Sequence, residues 1–310
     1  MLSEYALTPD IFDSTCYSNP ETCDIFLQGL KEPLLQEALV RDLRDGQWGQ
    51  YIRDDLKRWH PRTKELIKKL ITQNRLRPFN SVLNNTPSNY KDWCLESLAA
   101  HAVEPLNGVI TSNILIEEFK KNAKVASIEK LSSAPWWQNR SPSVRLKRNI
   151  NDYLTCLHLV LTHANSLMFI DPHLDPTRPQ YSDFIKLLQA AQRSGSPSFV
   201  EIHRVCYVGS GPDRVIKTKD EWKEKFDSSI TSSFSSANIS IEVFIWDDFH
   251  DRYLITDIIG VLMPNGFDVK NNPGDLTTWT RLGREERDDI QREFDPAANR
   301  HGLRHRFKLI

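Results

Sequence analysis

Apolar and polar positions along this chain follow one rhythm in the first half and another in the second. In HPRTKELIKKLITQNR, Leu66, Ile67, Leu70 and Ile71 recur at the spacing of one helical face, while Lys64, Lys68 and Lys69 cover the other. ETCDIFLQGLKEPLLQEALVRDL, interrupted by Pro33, predicts a second helix. SNYKDWCLESLAAHAV predicts a third, with Ser88 or Asn89 as its N-cap. YALTPDIF reads as a short strand or extended arm, and NGVITSN as a short β-rich run. Residues 1–135 therefore read as a mainly helical α+β region, to which the pattern assigns no role.

The second half alternates. VRLKRNINDYLTCLHLVLTHAN suits a helix, and SLMFID (166–171) is a compact apolar run ending at Asp-Pro, as a buried strand does. YSDFIKLLQAAQRSG is an amphipathic helix closed by Gly195. SFVEIHRVCYVG reads as a strand, KTKDEWKEKFDSSITSSFSSA as a helix, and ISIEVFIWD and RYLITDIIGVLM as strands. The order β-α-β-α-β-β predicts an α/β fold, a mixed sheet flanked by helices, with parallel strands joined by helical crossovers. REERDDIQREFDP reads as a charged helix, and RHGLRHRFKLI as a basic strand or arm. PWWQNRSPSVRLKR (135–148), rich in Pro, Trp and basic residues, marks a surface crossing between the halves, the second spanning 145–310.

Composition narrows the class. The chain has 310 residues, 39% of them hydrophobic and 26% charged, which is material for one large or two ordinary domains. A formal net charge of −1 gives no global field toward nucleic acid or membrane, so any anion must be held by a local patch. No run of about 18 apolar residues predicts a spanning helix. MLSEYALTPDIFDS has early acids and no apolar stretch, so a secretory leader is not expected. The five scattered cysteines form no CxxC pair and read as reduced thiols of a cytoplasmic chain.

Parallel strands bring their C-terminal ends to one edge, where ligands usually sit. Asp171 with His173, and Asp247 with His250, lie just past such ends. The stretch FHDRYLITD (249–257) places His250, Arg252 and Asp257 in the pattern H-x-R-x4-D. In an extended strand, residues 250 and 252 would share a face, setting an imidazole beside a guanidinium. The planar guanidinium fork binds two phosphate oxygens and stays charged. The imidazole can attack phosphorus or move a proton near neutral pH. Asp257 would orient the histidine if the strand bends.

This pattern resembles the H-x-K-x4-D motif of the phospholipase D superfamily, with arginine in place of lysine. HDR followed by a strand and a Gly-containing turn (PNG, 264–266) is similar to the phospholipase D-like C-terminal domains attached to microtubule-interacting-and-transport modules. The FIDPHLD strand end looks like the iDpY strand of the same proteins. The resemblance covers roughly 145–310. It implies metal-independent, cofactor-free phosphodiester chemistry. His250 would be nucleophile or acid, Arg252 the phosphate clamp and Asp257 a support. Catalytic members use two such motifs. A second imidazole would then come from His250 of another copy in a homodimer, or from His173 or His203 within the chain. The HDR branch is a binding module, and its arginine form points away from catalysis.

Two readings follow. One is a metal-independent nuclease, of the kind found in bacterial defence or mobile elements. The other is a non-catalytic module holding a phosphorylated ligand, nucleic acid or protein partner, with the N-terminal half free to bind a further protein. Nucleic acid is preferred to membrane because no amphipathic membrane stretch stands out. Its expected contacts are Arg252, His203, Arg145, Lys147 and Arg148 beside Trp136 and Trp137, and Arg304 and Arg306 of the basic tail. Aromatics interleaved with arginines can stack bases and hold backbone phosphates. A metal site built on Asp171, Glu201 and His203 is a weaker reading, because the lysine such sites pair with them is missing. GSGPDR (209–214) lacks the G-K-[ST] of a phosphate loop and reads as a turn.

Overall fold

The computed structural model describes residues 1–193, 198–209, 211–234, 239–270, 272 and 274–309. The expected Gly195 helix stop lies outside them. The chain divides into two compact units, Leu2–Arg140 and Ser141–Ile310, the second also taking Met1. The α/β class holds for both.

The first unit is more ordered into sheet than its sequence suggests. Its strands are β1 (Ser3–Leu7), β2 (Ala38–Asp42), β3 (Leu76–Phe79), β4 (Gly108–Thr111) and β5 (Val125–Ser127). They pair in parallel in the order β3-β2-β1-β4-β5. The helices α1 (Pro20–Glu37), α2 (Leu43–Asp54), α3 (Pro61–Thr72), α4 (Tyr90–Val103), α5 (Ile116–Phe119) and α6 (Pro135–Gln138) complete the unit. The N-terminal half is helix-rich, as expected, with its short strands gathered into one parallel sheet. The strands are three to five residues long. All five residues of β2 are buried, so the in-out alternation that announces an exposed strand is missing. The apolar run that looks like one long helix breaks at Ala38, and ALVRD enters the sheet.

Trp136 and Trp137 are structural here. Their rings lie 5.6 and 5.3 Å from that of Tyr5. Arg140 lies 3.6 Å over Trp137 and pairs with Glu37. Their expected base-stacking role has no open ring pair to serve it.

The second unit is built on eight strands in the order β15-β11-β8-β7-β12-β13-β14-β6. These are β6 (Ser143–Lys147), β7 (Ser166–Ile170), β8 (Ser198–Val205), β11 (Ile239–Trp246), β12 (Tyr253–Thr256), β13 (Gly260–Leu262), β14 (Leu276–Arg281) and β15 (Leu303–Lys308). A two-stranded ribbon, β9 (Tyr207–Val208) and β10 (Val215–Ile216), stands apart from it. The helices are α7 (Ile150–His163), α8 (Phe184–Ala190), α9 (Lys219–Ile230) and α10 (Arg284–Glu293). Strands β7, β8 and β11 are parallel, as the βαβα pattern predicts, and the flanking pairs are antiparallel. RYLITDIIGVLM is two strands of a tight hairpin, because Asp257 and Ile258 turn the chain.

The C-terminal ends of β7, β8 and β11 thus share one edge with the start of the antiparallel β12. Packing fixes the turn at that edge. Phe267 lies 5.1 Å from Phe169 on β7 and 5.7 Å from Phe184 on α8, ring centre to ring centre. All three phenylalanines are buried, each burial contributing about 1.5–3 kcal/mol. The apolar residue of the turn therefore anchors the polar residues beside it.

Candidate functional site

A cavity of about 390 Å³ opens at this edge. Its walls carry four arginines, Arg148, Arg178, Arg204 and Arg252, with His173 and the carboxylates Asp175 and Asp268. Strand ends, loops and a turn each supply part of it, as expected where parallel strands terminate.

Asp171 organises the centre. It ends β7 and is fully buried. Its carboxylate accepts from the amides of His173 (2.9 Å) and Phe267 (3.1 Å) and from the Tyr181 hydroxyl (3.2 Å). Burial raises its pKa, against the pull of those bonds and of the Arg252 charge. Arg252 Nε stands 3.6 Å from Asp171 Oδ1, and Nη1 reaches the carbonyls of His250 and Pro264, both at 3.4 Å. The guanidinium is held from behind, with a quarter of the side chain exposed.

Arg204 forms the buried floor. Residues alternate along β8, so His203 and Arg204 point to opposite sides of the sheet. The Arg204 guanidinium donates to the carbonyls of Val205, Leu174 and Tyr207 at 2.7–2.8 Å and lies 3.5 Å over the Trp222 ring. Among the described residues no carboxylate pairs with it. Burial pulls its pKa down to about 9, which leaves it a cation at neutral pH. Asp175 and Asp171 act on it without contact, so its buried charge is only partly offset, and an anion in the cavity would offset more of that cost. No sequence motif marks Arg204 for a role.

The remaining walls are paired. Arg148 bonds Asp268, and Arg178 stands 3.8 Å from Asp175. Burial alone would raise Asp175, but Thr177 and Lys225 (2.9 Å) outweigh it and hold the carboxyl below its usual range. His173 is pushed below the ordinary histidine value by burial, then by the charges of Arg252, Arg204, Arg178 and His250. It is a neutral imidazole near pH 7, able to accept or pass a proton.

The other expected residues are distributed differently. His250 and Arg252 do not share a strand face, because β12 begins only at Tyr253. His250 sits exposed outside the lining, close enough for its charge to act on His173 and on Asp248. Asp257 lies past the far end of β12, roughly 15 Å of strand from Arg252. There it accepts from the Asn165 amide at 2.9 Å, so it holds the start of β7 rather than His250.

His203 is fully buried on the other side of the sheet. Its Nδ1 accepts from Trp246 Nε1 (3.1 Å), and its Nε2 faces Glu201 (3.3 Å). Glu201 lines a separate cavity of about 260 Å³, away from Asp171, which undoes the metal triad. Arg145 and Lys147 project from the edge strand β6. Arg304 and Arg306 project from β15 at the opposite edge, where they pair with Asp247 and Glu242. Six strands separate these two edges, so of the expected basic contacts only Arg148, which follows β6, joins Arg252 at the cavity.

No family model matches the chain, and no curated protein matches it. Solved structures do. An archaeal chromatin protein, TrmBL2, whose structure is described as showing a novel mode of DNA binding, is 13% identical, with 80% of this chain and 84% of that one covered at a TM-score of 0.29. Phosphatidylserine synthase from Haemophilus influenzae Rd KW20 is 13% identical over 52% of this chain and 39% of that one, at 0.30. Polyphosphate kinase from Porphyromonas gingivalis is 12% identical over 94% and 45%, at 0.28. With TM-scores below 0.5, none of these likenesses bears on mechanism.

Proposed function

We propose that residues 141–310 are a phosphate-recognition unit, and that its ligand is a phosphorylated molecule of nucleic-acid type. One observation carries this reading: four arginines converge on one cavity, and the most buried of them, Arg204, bonds carbonyls and makes no direct ion pair with a carboxylate among the described residues. Arginine forks suit phosphate oxygens, and Arg252 presents its fork partly exposed. The single imidazole in the lining, His173, favours binding over cleavage, because a two-step histidine mechanism needs an imidazole on each side of the phosphorus.

A second reading has its own support. The charge of His250, outside the lining, acts on His173, so a second imidazole lies near the first. In a metal-independent phosphodiesterase, His250 would attack phosphorus and expel the leaving oxygen, which takes a proton from the protonated form of His173; the neutral His173 would then take a proton from the water that frees His250 from phosphorus.

One set of measurements separates the two. Inorganic phosphate and short DNA and RNA are titrated against wild type and Arg252→Ala, and the same strands are incubated in EDTA with wild type and His250→Ala. Recognition predicts a loss of about 1–3 kcal/mol for Arg252→Ala and intact strands throughout. An unchanged affinity in that variant would sink the recognition unit. Cleavage in EDTA that disappears with His250→Ala would establish the enzyme instead.

A further inference from the structure

We propose that the cavity selects a phosphate monoester, the terminal phosphate of a nucleotide or of a 5′-phosphorylated strand, over an internal phosphodiester. This rests on the phosphate-recognition reading and specifies its ligand.

Charge is the first argument. The lining holds four arginines, Arg148, Arg178, Arg204 and Arg252, against two carboxylates, Asp175 and Asp268, an excess of two positive charges. Arg214, outside the lining, is matched by Asp248 and adds nothing. A phosphate monoester carries a charge of about −1.5 to −2 at neutral pH and three terminal oxygens. An internal diester carries one charge and only two such oxygens, so it leaves half of the excess unmet.

Depth is the second. Arg204 belongs to the floor and is almost wholly buried. A phosphate that approaches it must arrive as the tip of a molecule. A mid-strand phosphate has a sugar on each side and would have to bring both into the cavity.

Size and surroundings are the third. The volume of about 390 Å³ falls at the lower end of small-ligand pockets, room for a phosphate with part of its sugar and base. Gln180 and Asn265 place amides on the wall, which suit sugar hydroxyls. Outside the cavity, the basic residues of β6 and β15 lie at opposite sheet edges and offer no continuous track for neighbouring phosphates.

The test uses the full chain and five probes in equilibrium binding. They are a nucleoside 5′-monophosphate, a 5′-phosphorylated oligonucleotide, the same oligonucleotide with a 5′-hydroxyl, a phosphoserine peptide and inorganic phosphate. The phosphorylated strand should bind about tenfold to a hundredfold tighter than its 5′-hydroxyl counterpart, the scale of one or two added charge-assisted bonds. Arg178→Ala, a change to a half-exposed side chain, should narrow that ratio while circular dichroism remains unchanged. A monophosphate that competes as well as the strand identifies a free nucleotide as ligand, and a strand that binds tighter identifies the strand end; both support the proposal. Equal affinity for the two strands overturns it, yet leaves phosphate recognition standing if Arg252→Ala weakens both. Tighter binding of the phosphopeptide overturns the nucleotide assignment. No binding of any probe, inorganic phosphate included, removes both this proposal and the reading beneath it.

Discussion

At Gly266 the backbone turns with φ +64°, a conformation that costs residues with a side chain. A methyl group there would stand 2.0 Å from Asp171 Oδ2 and 3.0 Å from Arg252 Cδ. Neither neighbour can withdraw freely. Asp171 is fixed by two amides and a hydroxyl, and Arg252 leans on Asp171. Gly266→Ala should therefore cost about 1–3 kcal/mol of stability in urea denaturation, from strain plus a displaced buried carboxylate. It should also weaken phosphate binding, because the guanidinium loses its support. A variant with wild-type affinity and stability would show that Asp171 does not position Arg252. The PNG turn is legible from sequence. That its glycine is needed for a carboxylate 95 residues earlier in the chain is not, because only tertiary packing brings the two together.

At the level of the strand, the alternation of β8 separates two chemistries. Glu201 and His203 lie on one face with Arg204 opposite, as strand alternation dictates. What pattern alone could not say is which face holds the cavity. It is the arginine face. His203 lies instead among Phe244, Trp246 and Phe294, its ring stacked 4.7 Å from that of Phe244. Burial pushes its pKa below 6.5, and its Nδ1 is already occupied as an acceptor from Trp246. The sign follows from linkage. Between 6.5 and the lower folded value, the unfolded chain binds a proton that the folded chain refuses, so stability rises with pH through that window and is lost as pH falls below 6.5. His173, shifted the same way, adds to the effect. Melting temperature measured from pH 7 to pH 5 should fall more steeply for wild type than for His203→Gln. Parallel slopes would mean that His203 takes up its proton without disturbing the fold. The H-x-R-x4-D pattern shows the converse limit: β12 is only four residues long, so His250 and Arg252 precede it, Asp257 follows it, and the three side chains are spread across both strand ends.

Over the whole molecule, a formal charge of −1 leaves attraction to nucleic acid to local groups. The sequence contains basic stretches that read as a track, and the α/β class with parallel central strands of 145–310 is equally readable. Strand order is not written in any local pattern, and strand order decides the outcome: β6 and β15 take the two edges of the sheet, with the cavity between them at the strand ends. Arg306 and Arg304 spend their charge on Glu242 and Asp247. A strand bound through one terminal phosphate would therefore release few counterions. For single strands the logarithm of the binding constant falls by about 0.7 per neutralised phosphate for each unit in the logarithm of salt concentration. With one phosphate in the cavity and at most one neighbour near its rim, the slope should lie between about −0.7 and −1.5. Anisotropy titrations of a 5′-phosphorylated strand at several salt concentrations measure it directly. A slope several times steeper would mean that many phosphates are held at once, which requires the edge arginines to leave their carboxylates and form a track with the cavity.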